Sequence, residues 1–296
     1  MGSWHFSIVT FRPPKSAPPL LDSLHTLSIY VAAGITSLGW ALCHFAGWNA
    51  TPWLPLWFCA ALLIYNADRL WSDPADLWNL PQRTAASIQL RGLAAVLTVI
   101  AAIVLTILPI VRRDWITLAL TLGGALVSLN YSRPLLGFRF KDTPILKTFF
   151  APTIVAAALI GLPWIHEGPP ASGTAFGMIA LRAWTLLLFN MTLCDLRDIA
   201  GDRRTGIVSL PVALGEKRTR ALLWLLLGTI ELLALATLWQ SPAPLAAPWR
   251  IVALSAPLYL GGILLAIRRP RSERFYEWWV EGILFLPALA ILVARA

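Results

Sequence analysis

The sequence predicts an all-α integral membrane protein, and three features of its composition support this class. Residues of the set AVILMFWYC make up 57% of the 296 residues, whereas charged residues make up only 13%, about half of the ~25% found in a typical soluble domain. The mean hydropathy is +0.68. The 15 tryptophans form an aromatic excess of the kind that collects at membrane interfaces. This composition excludes a water-soluble monomer, a disordered chain and a disulfide scaffold.

Nine apolar segments are long enough, or nearly so, to cross a bilayer, which takes ~20 residues with a range of about 17–25. Backbone polar groups cannot stay unpaired in lipid, so these segments should be helices, and the sequence lacks the alternating pattern of a membrane barrel. We therefore expect a tail at residues 1–26 and a single nine-helix domain at residues 27–296. The predicted segments are residues 27–46, 51–67, 93–111, 115–131, 148–165, 174–194, 221–239, 251–267 and 278–294.

The distribution of Lys and Arg predicts how these helices are oriented. If the amino terminus is cytoplasmic, the loops on that side carry 19 of these residues and those on the other side carry four, a clear positive-inside bias. The start of the chain shows no apolar core of the signal-peptide kind and no transit peptide, so we expect the inner (cell) membrane of a bacterium. The net charge of +9 then reflects topology, and we expect no nucleic-acid partner.

Two groups of three aspartates follow the second and the sixth predicted helices, both on the predicted cytoplasmic side. Their spacing, four helices apart, suggests two related four-helix halves followed by a ninth helix. The first group is Asp68, Asp73 and Asp76, and the second is Asp195, Asp198 and Asp202.

The second aspartate group has the spacing of a cation site. Positions i, i+3 and i+7 of a helix share one stripe, so Asp195, Asp198 and Asp202 would face the same way and repel each other. Mg²⁺ would relieve this repulsion, because hard oxygen ligands suit it and it is usually held by one or two carboxylates plus substrate phosphates. The alternative is a solvated loop whose Asp and Arg residues pair on the surface.

Two further stretches on the same side carry polar residues with more than one interpretation. Asp68 could be a helix-end charge that reaches water, or a member of a second cation site that faces the first. Arg83 could return to that site or face the cytoplasm. Tyr131 precedes Arg139 and Lys141, and two cations beside the acidic groups suggest a site for a phosphorylated ligand. Without those groups, the same stretch would be an ordinary basic loop.

These stretches together resemble the motifs of the UbiA superfamily of intramembrane prenyltransferases. Asp198 and Asp202 match the DxxxD pair of the second family motif, and Asp195 matches the acid that usually precedes it. Residues 206–215 resemble the Gly-containing tail of the same motif. The similarity covers the whole set of predicted helices and is strongest in this motif.

The other two family motifs are matched less closely. The stretch from Tyr131 to Lys141 resembles the family's YS-x-P…K element after the fourth helix. The first family motif, NxxxDxxxD, is altered here. If Asp68 is its first acid, Asn66 lies two residues too close and Asp73 one residue too late. The resemblance therefore includes a divergent first aspartate motif.

The resemblance implies nine helices around a central cavity that the two aspartate motifs cap. It also implies Mg²⁺-dependent transfer of an isoprenoid chain from a prenyl diphosphate to an aromatic or lipid acceptor in the bilayer. Tyr131, Tyr65 and Trp71 would offer aromatic faces to the allylic cation. In this chain the family roles fall on catalytic Asp68, Asp198 and Asp202, on metal ligands Asp68, Asp73, Asp195, Asp198 and Asp202, and on substrate-binding Asn66, Arg83, Tyr131, Arg139 and Lys141.

Three other functions remain open at this point. A membrane terpene cyclase would let the cation react with the double bonds of its own chain. A transporter or binding protein would use the intramembrane charges Arg182, Glu231 and Glu281, because buried charges often mark pathways. A non-catalytic scaffold would function without Asp198 and Asp202. The sequence indicates neither the acceptor, nor the length of the donor chain, nor the oligomeric state.

Overall fold

The computed structural model describes residues 19–71, 75–170, 173–240 and 243–295. Within these residues every regular element is helical and no strand occurs, which confirms the all-α class. The predicted tail lies outside the described residues up to residue 18, and its last part forms a short helix, α1 (Leu20–Thr26). Asp73 also lies outside the described residues.

Each predicted apolar segment overlaps one helical element of the described chain. Seven of these elements are long and apolar enough to cross a membrane, so the chain is a multi-pass membrane protein; the count of nine crossings stays a prediction. The elements are α2 (Ile29–Ala46), α3 (Leu54–Leu70), α6 (Arg91–Val111), α7 (Trp115–Ser132), α8 (Leu146–Glu167), α9 (Gly173–Thr205), α11 (Glu216–Gln240), α12 (Ala243–Ala266), and a last one that runs from α13 (Glu273–Phe275) through π-helical Tyr276–Val280 and 3-10 helical Glu281–Phe285 to α14 (Leu286–Arg295).

Three short helices lie in the segments that carry the polar motifs: α4 (Asp76–Asn79), α5 (Pro81–Gln89) and α10 (Leu210–Leu214). Proline occupies the first turn of α5 and α10, where its missing N–H removes no helical hydrogen bond. Gly206, between α9 and α10, has a φ of +77°, a left-handed conformation that glycine adopts without steric cost and that commonly ends helices. The predicted loops are therefore partly helical.

The long helix α9 positions the second aspartate group. The sequence predicted a membrane segment over residues 174–194 followed by a loop, but the helix runs unbroken to Thr205. Thr205 Oγ1 donates to the Gly201 carbonyl at 2.9 Å, and the chain turns away at Gly206. Helices α8 and α11 pack along α9. The aspartates therefore lie on the last turns of a helix that packs against α8 and α11.

Large apolar side chains cover the outer faces of the bundle. Val99 and Ile103 on α6, and Leu225 and Leu232 on α11, are each more than half exposed. Extended apolar surface of this kind marks a region that contacts membrane or partner protein. Together with the apolar composition of the helices, it indicates contact with lipid.

Candidate active site

Lys147, at the start of α8, joins two of the aspartates on α9. Its Nζ atom lies 2.7 and 2.6 Å from the two carboxylate oxygens of Asp202 and 3.4 Å from Asp195 Oδ1. The side chains of Asp202 and Lys147 are 1% and 15% exposed. Asp195 Oδ2 also accepts a hydrogen bond from Thr148 Oγ1 at 2.5 Å. Lys147 is therefore the cationic partner that burial of these carboxylates requires.

Asp198, between the other two aspartates in sequence, is held by a different cation. Arg197 donates from Nε and Nη2 to Asp198 Oδ1 and Oδ2 at 2.7 and 3.0 Å, a bidentate geometry that favours strong charge-assisted hydrogen bonds. The Arg197 guanidinium carbon also lies 5.2 Å from the centre of the Tyr276 ring, within cation–π range. Arg197 therefore links the aspartate helix to the last element of the chain.

Two hydrogen bonds fasten α8 and α10 to each other beside the aspartates. Thr148 Oγ1 accepts from the N–H of Leu210 at 3.1 Å, and the N–H of Ile145 donates to the Val208 carbonyl at 2.7 Å. Ile145 has a φ of +67°, which is rare for a β-branched residue. This turn starts α8 in the orientation that brings Lys147 and Thr148 against α9.

Helix α4 covers the end of α9 and so brings the first aspartate segment to the second. Asn79 Oδ1 accepts from the N–H of Gly201 at 2.9 Å. A Cβ atom at position 201 would lie 2.6 Å from Asn79 Cγ, so a larger residue there would displace the Asn79 side chain. The Arg204 guanidinium carbon lies 4.0 Å from the centre of the Trp78 ring. These contacts place both polar segments at one end of the bundle.

Asp68 lies at the polar end of an apolar cavity of about 210 Å³. Among the described residues, its carboxylate has no hydrogen-bonded or ion-paired partner. Trp71 and Tyr131 line the cavity beside it, and α3, α7 and α8 supply most of the apolar wall down to Trp57. A carboxylate therefore lies at the edge of a cavity whose other walls are largely apolar.

Tyr131 belongs to an aromatic stack at the polar end of the cavity. Its ring stacks on Phe150 with 5.1 Å between centres, and the Phe140 ring lies 5.0 Å from Phe150. The charges of Asp68 and Asp195 both act on Tyr131. The stack therefore fixes an aromatic face in the same cavity that Asp68 lines.

Arg83 and Asn66, two of the predicted substrate-binding residues, lie in different surroundings. Arg83 on α5 is half-buried, and its charge acts on Asp198; its guanidinium makes no hydrogen bond to any described residue. Asn66 is fully buried, and its Oδ1 accepts from Ser28 Oγ at 2.8 Å. Arg83 therefore lies near the acidic site, whereas Asn66 stabilises the junction of α1 with α2.

The two predicted cations after α7 also differ in exposure. Arg139 donates from Nε and Nη2 to Asp142 at 2.8 and 2.6 Å, and both side chains are partly exposed. Lys141 lies in a single 3-10 turn, Phe140–Asp142, and is buried. Contact of either cation with a substrate stays a prediction.

The intramembrane charges that a transporter would use pair with neighbouring helices. Arg182 Nε donates to the Ile230 carbonyl on α11 at 3.3 Å, and its charge acts on Glu231. Glu281 lies 3.5 Å from His25 Nδ1. These interactions join elements that are distant in sequence, which is a sufficient structural reason for the charges.

Sequence reasoning missed the two cations that hold the second aspartate group. Lys147 was counted among the loop charges, because the predicted segment began one residue later. A useful signal is its place directly before an apolar segment, since a lysine that becomes buried needs an acidic partner. The pairing of Arg197 with Asp198 has no signal in the spacing, because adjacent residues on a helix do not ordinarily face each other.

The chemistry of the carboxylates suits Mg²⁺. They offer hard oxygen ligands, and the Asp68 carboxylate forms no ion pair with any cationic side chain among the described residues. No three acidic, His or Cys side chains among the described residues converge into a ready-made metal cage. This agrees with the usual mode of Mg²⁺ binding, in which one or two carboxylates share the ion with substrate phosphates.

The fold and the site together define a multi-pass helical membrane protein that carries an ionic site over an apolar cavity. Residues 75–286 match the family model described as the UbiA prenyltransferase family. The chain belongs to this family, as its aspartate motifs indicated.

Similarity to characterised relatives is partial. The chain is 32% identical to chloroplastic chlorophyll synthase of Avena sativa over 120 residues, 40% of this chain and 29% of the relative. It is 35% identical to lycopene elongase/hydratase of Haloferax volcanii over 94 residues, 31% of this chain and 29% of the relative. It is 28% identical to the bacteriochlorophyll synthase 33 kDa chain of Cereibacter sphaeroides over 150 residues, 49% of this chain and 48% of the relative. Each match spans less than half of the relative.

Solved structures share the fold over nearly the whole chain. A UbiA homologue from Archaeoglobus fulgidus, bound to GPP and Mg²⁺, matches with a TM-score of 0.62 and 13% identity over 92% of this chain and 99% of that chain. The apo structure of a UbiA homologue from Aeropyrum pernix K1 matches with a TM-score of 0.62 and 16% identity over 90% of this chain and 99% of that chain. At these identities the likeness establishes the fold.

Proposed function

We propose that this protein transfers an isoprenoid chain from a prenyl diphosphate to an aromatic or lipid acceptor within the membrane, with Mg²⁺. The observation that carries the proposal is the continuity between Asp68 at the polar end of the cavity and the apolar walls that reach Trp57. A diphosphate requires cations and metal-binding carboxylates, whereas an isoprenoid chain and its cation require a space from which water is excluded. Membership of the family and the structural neighbour that holds GPP and Mg²⁺ support this reaction.

The diphosphate would bind between the two aspartate segments. Lys147 and Arg83 would donate to its oxygens, and Lys147 would exchange part of its contact with Asp202 for a phosphate contact. When bound, Mg²⁺ neutralises charge on the diphosphate and so favours its departure. The residues proposed to hold Mg²⁺ are Asp68, Asp73, Asp195, Asp198 and Asp202.

The reaction breaks the bond between C1 of the prenyl group and the diphosphate oxygen. The electron pair leaves with the diphosphate, and the allylic cation is stabilised by nearby aromatic faces, of which Tyr131 is held in place by its stack on Phe150. Tyr65 and Trp71 line the same part of the cavity. The acceptor then forms its bond to C1 and loses a proton.

The acceptor class follows from the relatives and from the membrane setting. Chlorophyll synthase, bacteriochlorophyll synthase and lycopene elongase/hydratase are named for hydrophobic pigments, which supports a large hydrophobic acceptor that reaches the site from the bilayer. The bias of Lys and Arg supports a cytoplasmic position for the aspartate segments. A bacterial cell membrane remains our expectation.

Binding of non-hydrolysable prenyl thiodiphosphates to the detergent-purified protein tests the donor site. We expect saturable binding that requires Mg²⁺ and weakens at least tenfold in the double variant Asp198→Asn/Asp202→Asn. The matched control is Glu216→Gln, which neutralises an exposed carboxylate on α11 and should leave binding unchanged. Lack of binding across geranyl, farnesyl and geranylgeranyl analogues, or equal binding by the double variant, would contradict the proposal.

A further inference from the structure

One large side chain, Trp57, lines the apolar end of the cavity, and we refer to it as the cavity floor. Trp57 is 2% exposed, and its Nε1 donates to the Ala158 carbonyl on α8 at 3.2 Å. The indole lies against Gly39 of α2, where an added Cβ would come within 2.6 Å of the Trp57 ring and 2.9 Å of Leu159. Packing on one side and a hydrogen bond on the other therefore define the position of this floor.

One wall of the cavity is a stripe of α3 that runs from this floor to Asp68. Its members recur at intervals of three and four residues, as one face of a helix requires. The side chains directly above the indole are the small Ala60 and Ala61, so open space reaches Trp57. The stripe comprises Trp57, Ala60, Ala61, Ile64, Tyr65, Asp68 and Trp71.

The length of this wall can be compared with isoprenoid chains. Asp68 lies eleven residues after Trp57, which corresponds to about 16 Å along the helix axis. An extended chain advances about 1.2 Å per bond, since three bonds of an extended polypeptide span about 3.6 Å. On this scale the main chain of a farnesyl group is about 13 Å long and that of a geranylgeranyl group about 18 Å. A farnesyl chain would thus end above the indole, and a geranylgeranyl chain would collide with it.

We propose that Trp57 sets the maximum length of isoprenoid chain that the cavity accepts, with the fifteen-carbon farnesyl chain as the longest that fits. This inference rests on the proposed function, because it assigns the cavity to the donor chain. Trp57 would contact the far end of that chain and would take no part in the chemistry at Asp68. It is therefore a specificity-determining residue.

Two variants should move the length limit in opposite directions. Trp57→Ala opens space below the floor. The affinity for geranylgeranyl thiodiphosphate, divided by the affinity for the farnesyl analogue, should therefore be at least tenfold higher in this variant than in the wild type. Ala61→Phe raises the floor by four residues of the helix, about 6 Å, so farnesyl should lose at least tenfold in affinity relative to geranyl. The control is Trp164→Ala on α8, which removes an indole that is 48% exposed and should leave the order of affinities unchanged.

The outcomes separate this inference from the proposed function. If the wild type binds donors with Mg²⁺ but Ala61→Phe leaves the order of affinities unchanged, the chain lies elsewhere or leaves the cavity sideways, and the inference is wrong. If Trp57→Ala does not fold, Ala61→Phe still tests whether the chain reaches towards Trp57, because it fills a space and creates none. If the wild type binds no donor of any length, the proposed function fails and the inference with it.

Discussion

Removal of the Lys147 charge should destabilise the protein, and the burial of Lys147 and its two partners sets the size of the expected loss. In Lys147→Met the apolar stem keeps a similar shape, but two carboxylates that are 1% and 8% exposed lose the cation that lies 2.6 and 3.4 Å away. Breaking a buried ion pair by removing one partner costs about 3–5 kcal/mol. Because Lys147 is 15% exposed and Thr148 still donates to Asp195, we expect the lower end of that range, about 3 kcal/mol.

Thermal unfolding of the detergent-purified variants, followed by tryptophan fluorescence at one fixed scan rate, measures this loss. The matched control is Lys217→Met on an exposed part of α11, for which we expect a change below about 0.5 kcal/mol. Adding Asp202→Asn to Lys147→Met removes the uncompensated charge and should recover more than half of the loss. An unchanged melting temperature in Lys147→Met, or no recovery in the double variant, would refute the buried ion pair.

Three further predictions follow from the contacts around the site. Gly201→Ala should displace the Asn79 side chain and lower the free energy of unfolding by about 2–4 kcal/mol, from overpacking and a lost hydrogen bond. Adding Asn79→Ala to the same chain should restore part of that loss. Purely additive shifts in melting temperature would count against the close approach of the two residues. Asn66→Ala should lower the free energy of unfolding by about 1–3 kcal/mol, because it leaves the Ser28 hydroxyl buried without its acceptor. The loss should be smaller in a Ser28→Gly background, where the hydroxyl is absent. Equal losses in both backgrounds would disprove the coupling of the two residues. Chelation of Mg²⁺ should abolish donor binding without lowering the melting temperature of the protein alone, because Lys147 and Arg197 pair with the three aspartates of α9 without an ion. A large fall in melting temperature on chelation would mean that a resident ion supports the fold.

Most of the architecture could be predicted because its causes are local. The apolar runs indicated where the helices lie, and the spacing of Asp195, Asp198 and Asp202 indicated one helical stripe. The end of the sixth segment could not be placed, since a polar run at a membrane boundary is compatible with either loop or helix. The structure continues α9 to Thr205 and ends it at Gly206, whose positive φ depends on how the chain must turn.

The details of the candidate site depend on contacts between distant residues, which local patterns do not contain. Lys147 meets Asp202 because Ile145 adopts a positive φ and bonds to Val208, a pairing that no spacing in the sequence indicates. Asn66 accepts a hydrogen bond from Ser28, 38 residues earlier in the sequence, a contact that no spacing indicates; its role in substrate binding stays a prediction. The same limit applies to Trp57, because its place at the apolar end of the cavity depends on contacts with Gly39 and Ala158.

Analysis of the products formed from a prenyl diphosphate decides between the proposed reaction and its alternatives. The purified protein would be incubated with labelled farnesyl diphosphate, Mg²⁺ and a lipid extract as acceptor source, and the labelled products identified by mass spectrometry. We expect a farnesylated acceptor and an equal amount of released diphosphate, both lost in Asp198→Asn/Asp202→Asn. A cyclic hydrocarbon without acceptor would indicate a terpene cyclase, and unchanged diphosphate despite saturable binding would indicate a transporter or binding protein; either result would contradict prenyl transfer.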